Sequence, residues 1–527
     1  MALRPDSPCA HLNLGFALEK QEKLDEAIAC YKEAIRLRPD FAFAHNNLGN
    51  ALNEQGKLDE AITSFQEALR LQPDSYHAHN NIGTTLKDQG KLDEAIAHYN
   101  ETIRLRPDLA EPHTNLGDAL HEQGKLEEAV VCHREALRLQ PEFSIAHNNL
   151  GLVLQKQGKL EKAIASYQEA IRFEPGHPFA YNNLGNVLSE QGKLDEAIAR
   201  YKEAIRLRPK YPEAHYNLGN KWRVQGNLKE AITSYRQAIK LKPNYTDAHY
   251  NLGMTFAHQG KLDDAIACYK EAIRLEPNCF DSHHNLGNAY SAKKQPDQAI
   301  AAYSKAIELK KDCFEPYYGM AEVYIRVIKQ PDRAIAPLRQ AIALKKDHFY
   351  AHVNLGMVYR ETGNYEEARA ALQKALQLAS KNPGLAQEAA AYIKEMEQHQ
   401  LVQTQLKTLA KVGQAQEFKG QLTKTDPLLD GKHSKIYPLQ LKAGKHYLID
   451  LMSSEFDTYL MVKNAAGKLI AEEDNSGQGT DSKLLFVPET DGEYTIVVLA
   501  FEAAATGSYT LRIQEYQPAK REKPPMD

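Results

Sequence analysis

The chain has 527 residues, too many for one compact core, so its length predicts several domains or a repeat array. The formal net charge is −4, from 65 basic and 69 acidic residues, which argues against the basic proteins that bind nucleic acids or anionic membranes. No apolar run reaches the ~20 residues that a membrane-spanning helix needs.

Residues 1–7 read as the end of a repeat, because MALRPDSP aligns with IRLRPDFA at Ile35. They lack the basic and apolar regions of a secretory signal. The sequence therefore predicts a cytoplasmic protein, while a truncated amino terminus would leave a secreted or periplasmic location open.

A repeat of 34 residues occupies residues 8–382 in eleven copies. A glycine marks the same point of successive copies at Gly15, Gly49, Gly83, Gly117, Gly151, Gly185, Gly219, Gly253 and Gly287. The next position holds Ala321, and Gly356 follows after 35 residues because the tenth copy is one residue longer.

Each copy predicts two apolar-periodic helices, which in the second copy cover residues 43–55 and 58–71. Gly56 ends the first helix, and Asp59 and Glu60 favour the start of the second. A proline such as Pro73 ends the copy, because it disfavours helical geometry in the residue before it.

The repeat resembles the tetratricopeptide repeat, whose small, large and proline positions are held in the second copy by Gly49, Leu52, Ala61, Phe65, Ala68 and Pro73. The resemblance implies an all-α right-handed superhelix of about eleven helix pairs with a concave groove lined by first helices. A single pair cannot bury its apolar face, so neighbour contacts stabilise such arrays.

An asparagine recurs on the first helix, one residue before the apolar position. At ~100° per residue it lies opposite the packed side, where the resemblance places the groove. The column comprises Asn13, Asn47, Asn81, Asn115, Asn149, Asn183, Asn217, Asn251, Asn285 and Asn354, with Gly319 interrupting it. Tyr216 and Tyr250 are candidate aromatic anchors beside it.

Amide side chains both donate and accept hydrogen bonds, so this asparagine column could pair with the peptide groups of an extended chain. It resembles the asparagine ladder in the repeat array of O-linked N-acetylglucosamine transferases. The alternative is a residue typical of the repeat family that has no dedicated ligand. A column of histidines, such as His45, lies on the packed side, and its members are too far apart for one metal ion.

Residues 383–413 predict a helix that caps and links the array, with Ile393, Met396, Val402, Leu406 and Leu409 covering its last apolar face. In residues 414–516 the period changes to 2, and roughly seven short strands predict a small β-sandwich. Residues 517–527 predict a disordered tail.

The β-region resembles the bacterial pre-peptidase carboxyl-terminal (PPC) domain, through FKGQLTKTD at Phe418, the segment of residues 437–462, AEEDNSGQGTDSKLLF at Ala471, DGEYTIVV and GSYTLRI. The resemblance implies a jelly-roll-like sandwich attached to secreted enzymes, sometimes with bound calcium. The candidate calcium ligands are Asp457, Asp474, Asn475 and Asp481; alternatively, these residues serve turns and cap loops.

No phosphate-binding, zinc-protease or nucleophile-elbow motif occurs, so the sequence predicts a protein that is not an enzyme and needs no cofactor beyond the candidate calcium. The first hypothesis is a non-catalytic scaffold that binds a protein or extended peptide in the groove. The alternative is the recognition arm of a larger or exported enzyme assembly whose catalytic part lies on another chain or upstream.

Overall fold

The computed structural model describes residues 7–407, 409–423, 426, 428, 429, 432–453, 458–474, 481–500 and 507–518. Within these ranges it leaves the side chains at 398, 402, 405–407, 409–413, 428, 474, 481, 500, 517 and 518 undescribed. The chain divides into two compact units, residues 1–277 and 278–527, which are described separately. In the described part, no helix is both long and apolar enough to cross a lipid bilayer.

The first unit contains eight helix pairs, as the repeat predicts. Its first helices are α1 (Pro8–Glu19), α3 (Ala42–Glu54), α5 (Tyr76–Asp88), α7 (Ala110–Glu122), α9 (Ser144–Lys156), α11 (Pro178–Glu190), α13 (Pro212–Val224) and α15 (Thr246–His258). The second helices are α2 (Leu24–Leu37), α4 (Leu58–Leu71), α6 (Leu92–Leu105), α8 (Leu126–Leu139), α10 (Leu160–Phe173), α12 (Leu194–Leu207), α14 (Leu228–Leu241) and α16 (Leu262–Leu275).

Most first helices are followed by a glycine in the left-handed conformation, as the turn after α3 illustrates; after α1 this residue is Glu22, with a φ of 61°. Gly56 has a φ of 77°, which a residue without a Cβ adopts at little cost. The Lys57 N–H then donates to the Leu52 carbonyl at 2.9 Å, which satisfies a carbonyl at the helix end. The predicted break at Gly56 is confirmed.

A glycine and an aromatic ring form the tightest contact inside a pair. A Cβ added at Gly151 would lie 2.6 Å from Cε1 of Tyr167, whose side chain is fully buried. The two helices can therefore approach closely only where the first has no side chain. This explains why the glycine on α9 and the aromatic on α10 recur together through the array.

Five histidines of the column contact the loop that precedes their first helix: His45, His147, His215, His249 and His352. The His45 ring Nε2 lies 3.0 Å from the Pro39 carbonyl oxygen, and His215 contacts the Pro209 carbonyl in the same way at 3.1 Å. Because this acceptor is a backbone carbonyl, the contact persists at His352, where Lys346 replaces proline. The described residues contain no cluster of His, Cys, Asp and Glu that could hold a metal ion.

The second unit continues with three helix pairs: α17 (Phe280–Ala292) with α18 (Pro296–Leu309), α19 (Phe314–Glu322) with α20 (Ile335–Leu344), and α21 (Phe349–Glu361) with α22 (Tyr365–Leu378). The tenth copy absorbs its extra residue as a π-helical turn, Val323–Ile328, directly after α19. A π turn accommodates one inserted residue without ending the helix. A 3₁₀ turn, Pro331–Ala334, then leads into α20.

A final helix, α23 (Pro383–Lys407), packs on α22, as the capping prediction requires. Met396 is fully buried, and Ile393 packs against the same apolar cluster. The side chains of the other three predicted capping residues, Val402, Leu406 and Leu409, lie outside the described set.

The rest of the second unit is an all-β domain of two antiparallel sheets. Its strands are β1 (Leu409–Leu422), β2 (Leu428–Leu429), β3 (Lys432–Leu441), β4 (His446–Met452), β5 (Thr458–Asn464), β6 (Leu469–Asp474), β7 (Asp481–Phe486), β8 (Gly492–Ala500) and β9 (Gly507–Pro518). One sheet has the order β1-β9-β4-β7 and the other β2-β3-β8-β5-β6. Buried residues such as Ile449 and Val498 join both sheets in one core, so the predicted sandwich is confirmed.

The described strands number nine, against roughly seven predicted. Strand structure begins at Leu409, before residue 414, and continues to Pro518, beyond residue 516. Of the candidate calcium ligands, Asp457 and Asn475 lie outside the described residues, as do the side chains of Asp474 and Asp481.

Candidate functional site

In each unit the asparagine column lies on the surface formed by that unit's first helices, called the first-helix surface below. In the first unit Asn13 is exposed, Asn251 is buried, and the members between them are half-buried. In the second unit Asn285 is half-buried and Asn354 is buried. The side chains are therefore held between neighbouring helices, and most of them keep one part in solvent.

From the third to the eighth copy, each asparagine of the column donates to the preceding repeat. The Asn81 Nδ2 group donates to Asn46 Oδ1 at 3.2 Å and to Asn50 Oδ1 at 2.9 Å. Equivalent donations run from Asn115 to Asn80, Asn149 to Asp118, Asn183 to Asn148, Asn217 to Asn182 and Asn186, and Asn251 to Tyr216. In the second unit Asn354 donates to Tyr318 at 3.2 Å.

These bonds assign different roles to the two ends of each amide. In these copies the column asparagine donates an N–H to the array, so its carbonyl oxygen is the group that keeps capacity for a ligand. The oxygens of Asn149 and Asn183 already accept one bond each, from Asn148 at 3.0 Å and Asn182 at 3.4 Å. An amide oxygen accepts two hydrogen bonds. The column is thus a row of acceptors, suited to the N–H groups of an extended backbone.

The additional asparagines near the column, called the accessory asparagines below, accept hydrogen bonds from buried tyrosines of the second helices. The Tyr201 hydroxyl, on a side chain 1% exposed, donates to Asn186 Oδ1 at 2.8 Å, and Asn186 also accepts from Asn217. Tyr235 and Asn220 make the same pair at 2.7 Å. The core tyrosine, the accessory asparagine and the column asparagine therefore form a connected network across neighbouring repeats.

The fourth copy departs from this pattern, with His133 and Asp118 in place of tyrosine and asparagine. Neither ring nitrogen of the fully buried His133 has a hydrogen-bond partner among the described residues, and its Nε2 lies 3.6 Å from Asp118 Oδ1. Burial lowers the pKa of His133 to about 4 and raises the pKa of Asp118 to about 6. The carboxylate thus lies in an environment that favours its neutral form.

We expect Asp118→Asn to stabilise the protein at neutral pH. The folded-state pKa of Asp118 exceeds its unfolded value, so its ionisation destabilises the fold as pH rises from about 4 to 6, and this penalty is complete above pH 6. The amide removes the penalty and still accepts from Asn149. Because the Asp118 carboxylate is partly exposed to solvent, we expect the free energy of unfolding to rise by only about 1–2 kcal/mol at pH 8. This gain should decrease to nearly zero towards pH 4.

Urea denaturation at pH 4.5 and pH 8 measures this difference. Asp74→Asn, which removes an exposed loop carboxylate, is the control for the loss of one charge. A gain from Asp118→Asn that is equal at both pH values would contradict the assignment.

Exposed apolar side chains lie one turn before the column on the same helix face. Phe43, Ile145 and Phe179 occupy the same repeat position and are 61%, 49% and 42% exposed. They precede column asparagines by four residues, so they lie beside them. In the seventh and eighth copies this position is acidic, with Glu213 and Asp247. The 34-residue period places these residues at the same position of their repeats, but they were not among the binding residues predicted from the sequence.

The predicted aromatic anchors have a structural role as well. The Tyr216 hydroxyl accepts from Asn251 at 2.8 Å, and its ring lies 4.9 Å from that of Tyr245. Tyr250 is half-buried, with its ring 6.1 Å from that of Tyr269. Both residues lie on first helices, and Tyr216 takes the place of the additional asparagine as the acceptor for Asn251.

Comparison with protein families agrees with the predicted repeats. Tetratricopeptide repeat models match residues 20–55, 246–279, 280–313 and 349–382, so the chain contains tetratricopeptide repeats. The model of the C-terminal domain of cilia and flagella-associated protein 70 matches residues 42–252.

Many solved structures resemble this chain, YrrB among them. YrrB, described as a TPR protein with an unusual peptide-binding site, is 26% identical and aligns over 35% of this chain and 96% of its own, with a TM-score of 0.32. The search of curated proteins gave no match.

Proposed function

We propose that the chain is a non-catalytic interaction scaffold whose first-helix surface binds an extended segment of a partner protein. The observation that carries this proposal is the polarity of the column: its amide N–H groups are used by the array, and its carbonyl oxygens form a row of acceptors. Tetratricopeptide arrays use extended surfaces of this kind for binding. A backbone held by its N–H groups is bound largely independently of sequence.

The exposed apolar side chains beside the column supply side-chain selectivity. Phe43, Ile145 and Phe179 would each cover an apolar residue of the bound segment, and burial of such a side chain contributes about 1.5–3 kcal/mol. The acidic residues Glu213 and Asp247 would favour a basic residue further along. Because this position is also acidic at Glu111 in the fourth copy, the favoured ligand is an extended segment that combines apolar and basic residues.

We expect Phe43→Ala with Ile145→Ala to weaken peptide binding by about a hundredfold while the melting temperature stays nearly constant, because both side chains are largely exposed. The probes are peptides selected on the full chain from a random phage-displayed library, and their dissociation constants are measured by fluorescence anisotropy.

Val131→Ala with Val224→Ala is the matched control, since these side chains are 65% and 64% exposed but occupy other repeat positions. Equal losses in both double variants would count against the proposed surface. Failure to select any peptide would contradict the proposed function itself.

A further inference from the structure

The asparagine column stops at Gly319, and the largest departure from the repeat surrounds this position. The first helix α19 ends after nine residues at Glu322, where the π-helical turn begins. A cleft of about 440 Å³ opens here within the second unit. Its volume falls in the ~300–1,000 Å³ range of ligand-binding pockets.

The missing side chain keeps this cleft open. In the next copy the column residue is Asn354, whose Nδ2 donates to the Tyr318 hydroxyl at 3.2 Å. Gly319 has no such side chain, and a Cβ placed there would lie 2.7 Å from Cζ of Tyr303. Close packing against Tyr303 thus excludes the column asparagine from the tenth copy.

Aromatic rings form the walls of the cleft. The His348 ring lies 5.0 Å from Phe314 and 4.9 Å from Tyr318, and the His284 ring lies 5.9 Å from Tyr303. Burial lowers the pKa of both His284 and His348, so these rings are neutral at pH 7. The Tyr303, Phe314 and Tyr318 rings can attract a cation to their faces.

The charged residues that line the cleft are both acidic. Glu315 is exposed and Glu322 retains a third of its side-chain surface, while the lining contains no Lys or Arg. Arg326 pairs with Glu322 at 3.2 Å, and Lys345 lies 4.5 Å from the Phe314 ring centroid, but neither residue lines the cleft. A carboxylate accepts several hydrogen bonds, so each retains capacity for a further donor.

One ring nitrogen in the wall has an unused hydrogen-bonding group. Asn288 Nδ2 donates to His284 Nε2 at 3.1 Å, so the neutral ring carries its proton on Nδ1. His284 Nδ1 is buried and has no hydrogen-bond partner among the described residues. This N–H is therefore a buried donor without a partner in the wall of the cleft.

We propose that this cleft binds a lysine or arginine side chain of the partner segment, with its alkyl stem against Phe314 and Tyr318 and its charge on Glu315 and Glu322. This inference rests on the proposed function and names the side chain that it selects. Asp281, exposed and one repeat before Glu315 at the same position, extends the negative charge along the first-helix surface. The observed charge and the aromatic walls both favour a cation.

The test uses the full chain and four blocked amino acids as probes. N-acetyl arginine and lysine methylamides carry the charge, and the citrulline and norleucine methylamides match them in shape without it. In ligand-observed NMR titrations we expect the charged probes to bind at least about tenfold more tightly than their neutral counterparts. Equal binding within each pair would overturn the proposal.

Glu315→Gln with Glu322→Gln should weaken binding of the charged probes by about tenfold. Glu366→Gln with Glu367→Gln, two exposed residues of α22, removes the same charge and should leave the affinity unchanged. Gly319→Asn should block the cleft. The new side chain would be forced against Tyr303 and could prevent folding, and in that case the glutamate variant decides the outcome. Unchanged binding in the glutamate variant would overturn the proposal.

The probes do not depend on the rest of the first-helix surface, so two failures can be separated. Binding of the arginine probe without selection of any library peptide would support the cleft and contradict the wider function. Selected peptides that depend on the column but show no preference for a basic residue would overturn the cleft alone.

Discussion

Replacing Asn149, Asn183 and Asn217 with alanine is expected to reduce affinity for a selected peptide by about a hundredfold. Each substitution removes one acceptor from the row, and a hydrogen bond of this kind contributes about 0.5–1.5 kcal/mol. It also removes the N–H group that bonds to the preceding repeat. The free energy of unfolding should therefore fall as well, by about 3 kcal/mol in total.

The stability effect requires a control that breaks similar bonds elsewhere. The Nε2 groups of Gln89, Gln123 and Gln225 donate to aspartates of the preceding repeat at 2.9, 2.7 and 2.7 Å, near the turn between paired helices. Replacing these three glutamines with alanine should also weaken contacts between repeats but leave peptide affinity within about twofold. Fluorescence anisotropy and urea denaturation measure the two quantities, and an equal loss of affinity in both triple variants would contradict the acceptor row.

Tyr201→Ala is expected to have the largest effect on stability, lowering the free energy of unfolding by about 3–5 kcal/mol. The Tyr201 ring is buried against Gly185, where an added Cβ would lie 2.7 Å from the ring Cε1. Removing the ring therefore leaves a cavity between the two helices of the pair. Because repeats are stabilised by their neighbours, the loss should also weaken the coupling of the sixth copy to those beside it.

The matched substitution is Tyr201→Phe, since Phe65 occupies this position in the second copy. It keeps the ring and removes only the donation to Asn186, so a loss of about 1 kcal/mol is expected. Urea denaturation gives the total effect, and amide hydrogen exchange locates it along the array. A loss below about 1 kcal/mol in Tyr201→Ala would show that the ring does not hold the pair together.

The roles within the amide column show where sequence reasoning stops. The asparagine period is 34 residues, but the observed donors and acceptors are 35 and 31 residues apart. Helix geometry places the column opposite the packed side, yet it does not fix the rotation between neighbouring pairs. That rotation decides that Asn81 reaches Asn46 and Asn50, and hence which end of the amide remains for a ligand.

The tenth copy likewise separates what the sequence shows from what only the packed structure shows. Its extra residue and Gly319 are both visible in the sequence, where they read as a local irregularity of the repeat. The π-helical turn, the position of Glu322 and the contact between Gly319 and Tyr303 become evident only when the helices are packed. Because the cleft is a space between side chains of the ninth and tenth copies, no single repeat encodes it.

The sequence by itself determined the helix pairs, their glycine and aromatic contacts, and the change to a β-sandwich. These features depend on local periodicity and on interactions between neighbouring segments, both of which repeat along the chain. Only the tertiary structure decided the order of strands in the two sheets, the partners of the column amides and the opening at Gly319. Those features depend on how elements distant in sequence are oriented in space, which hydrophobic period alone does not specify.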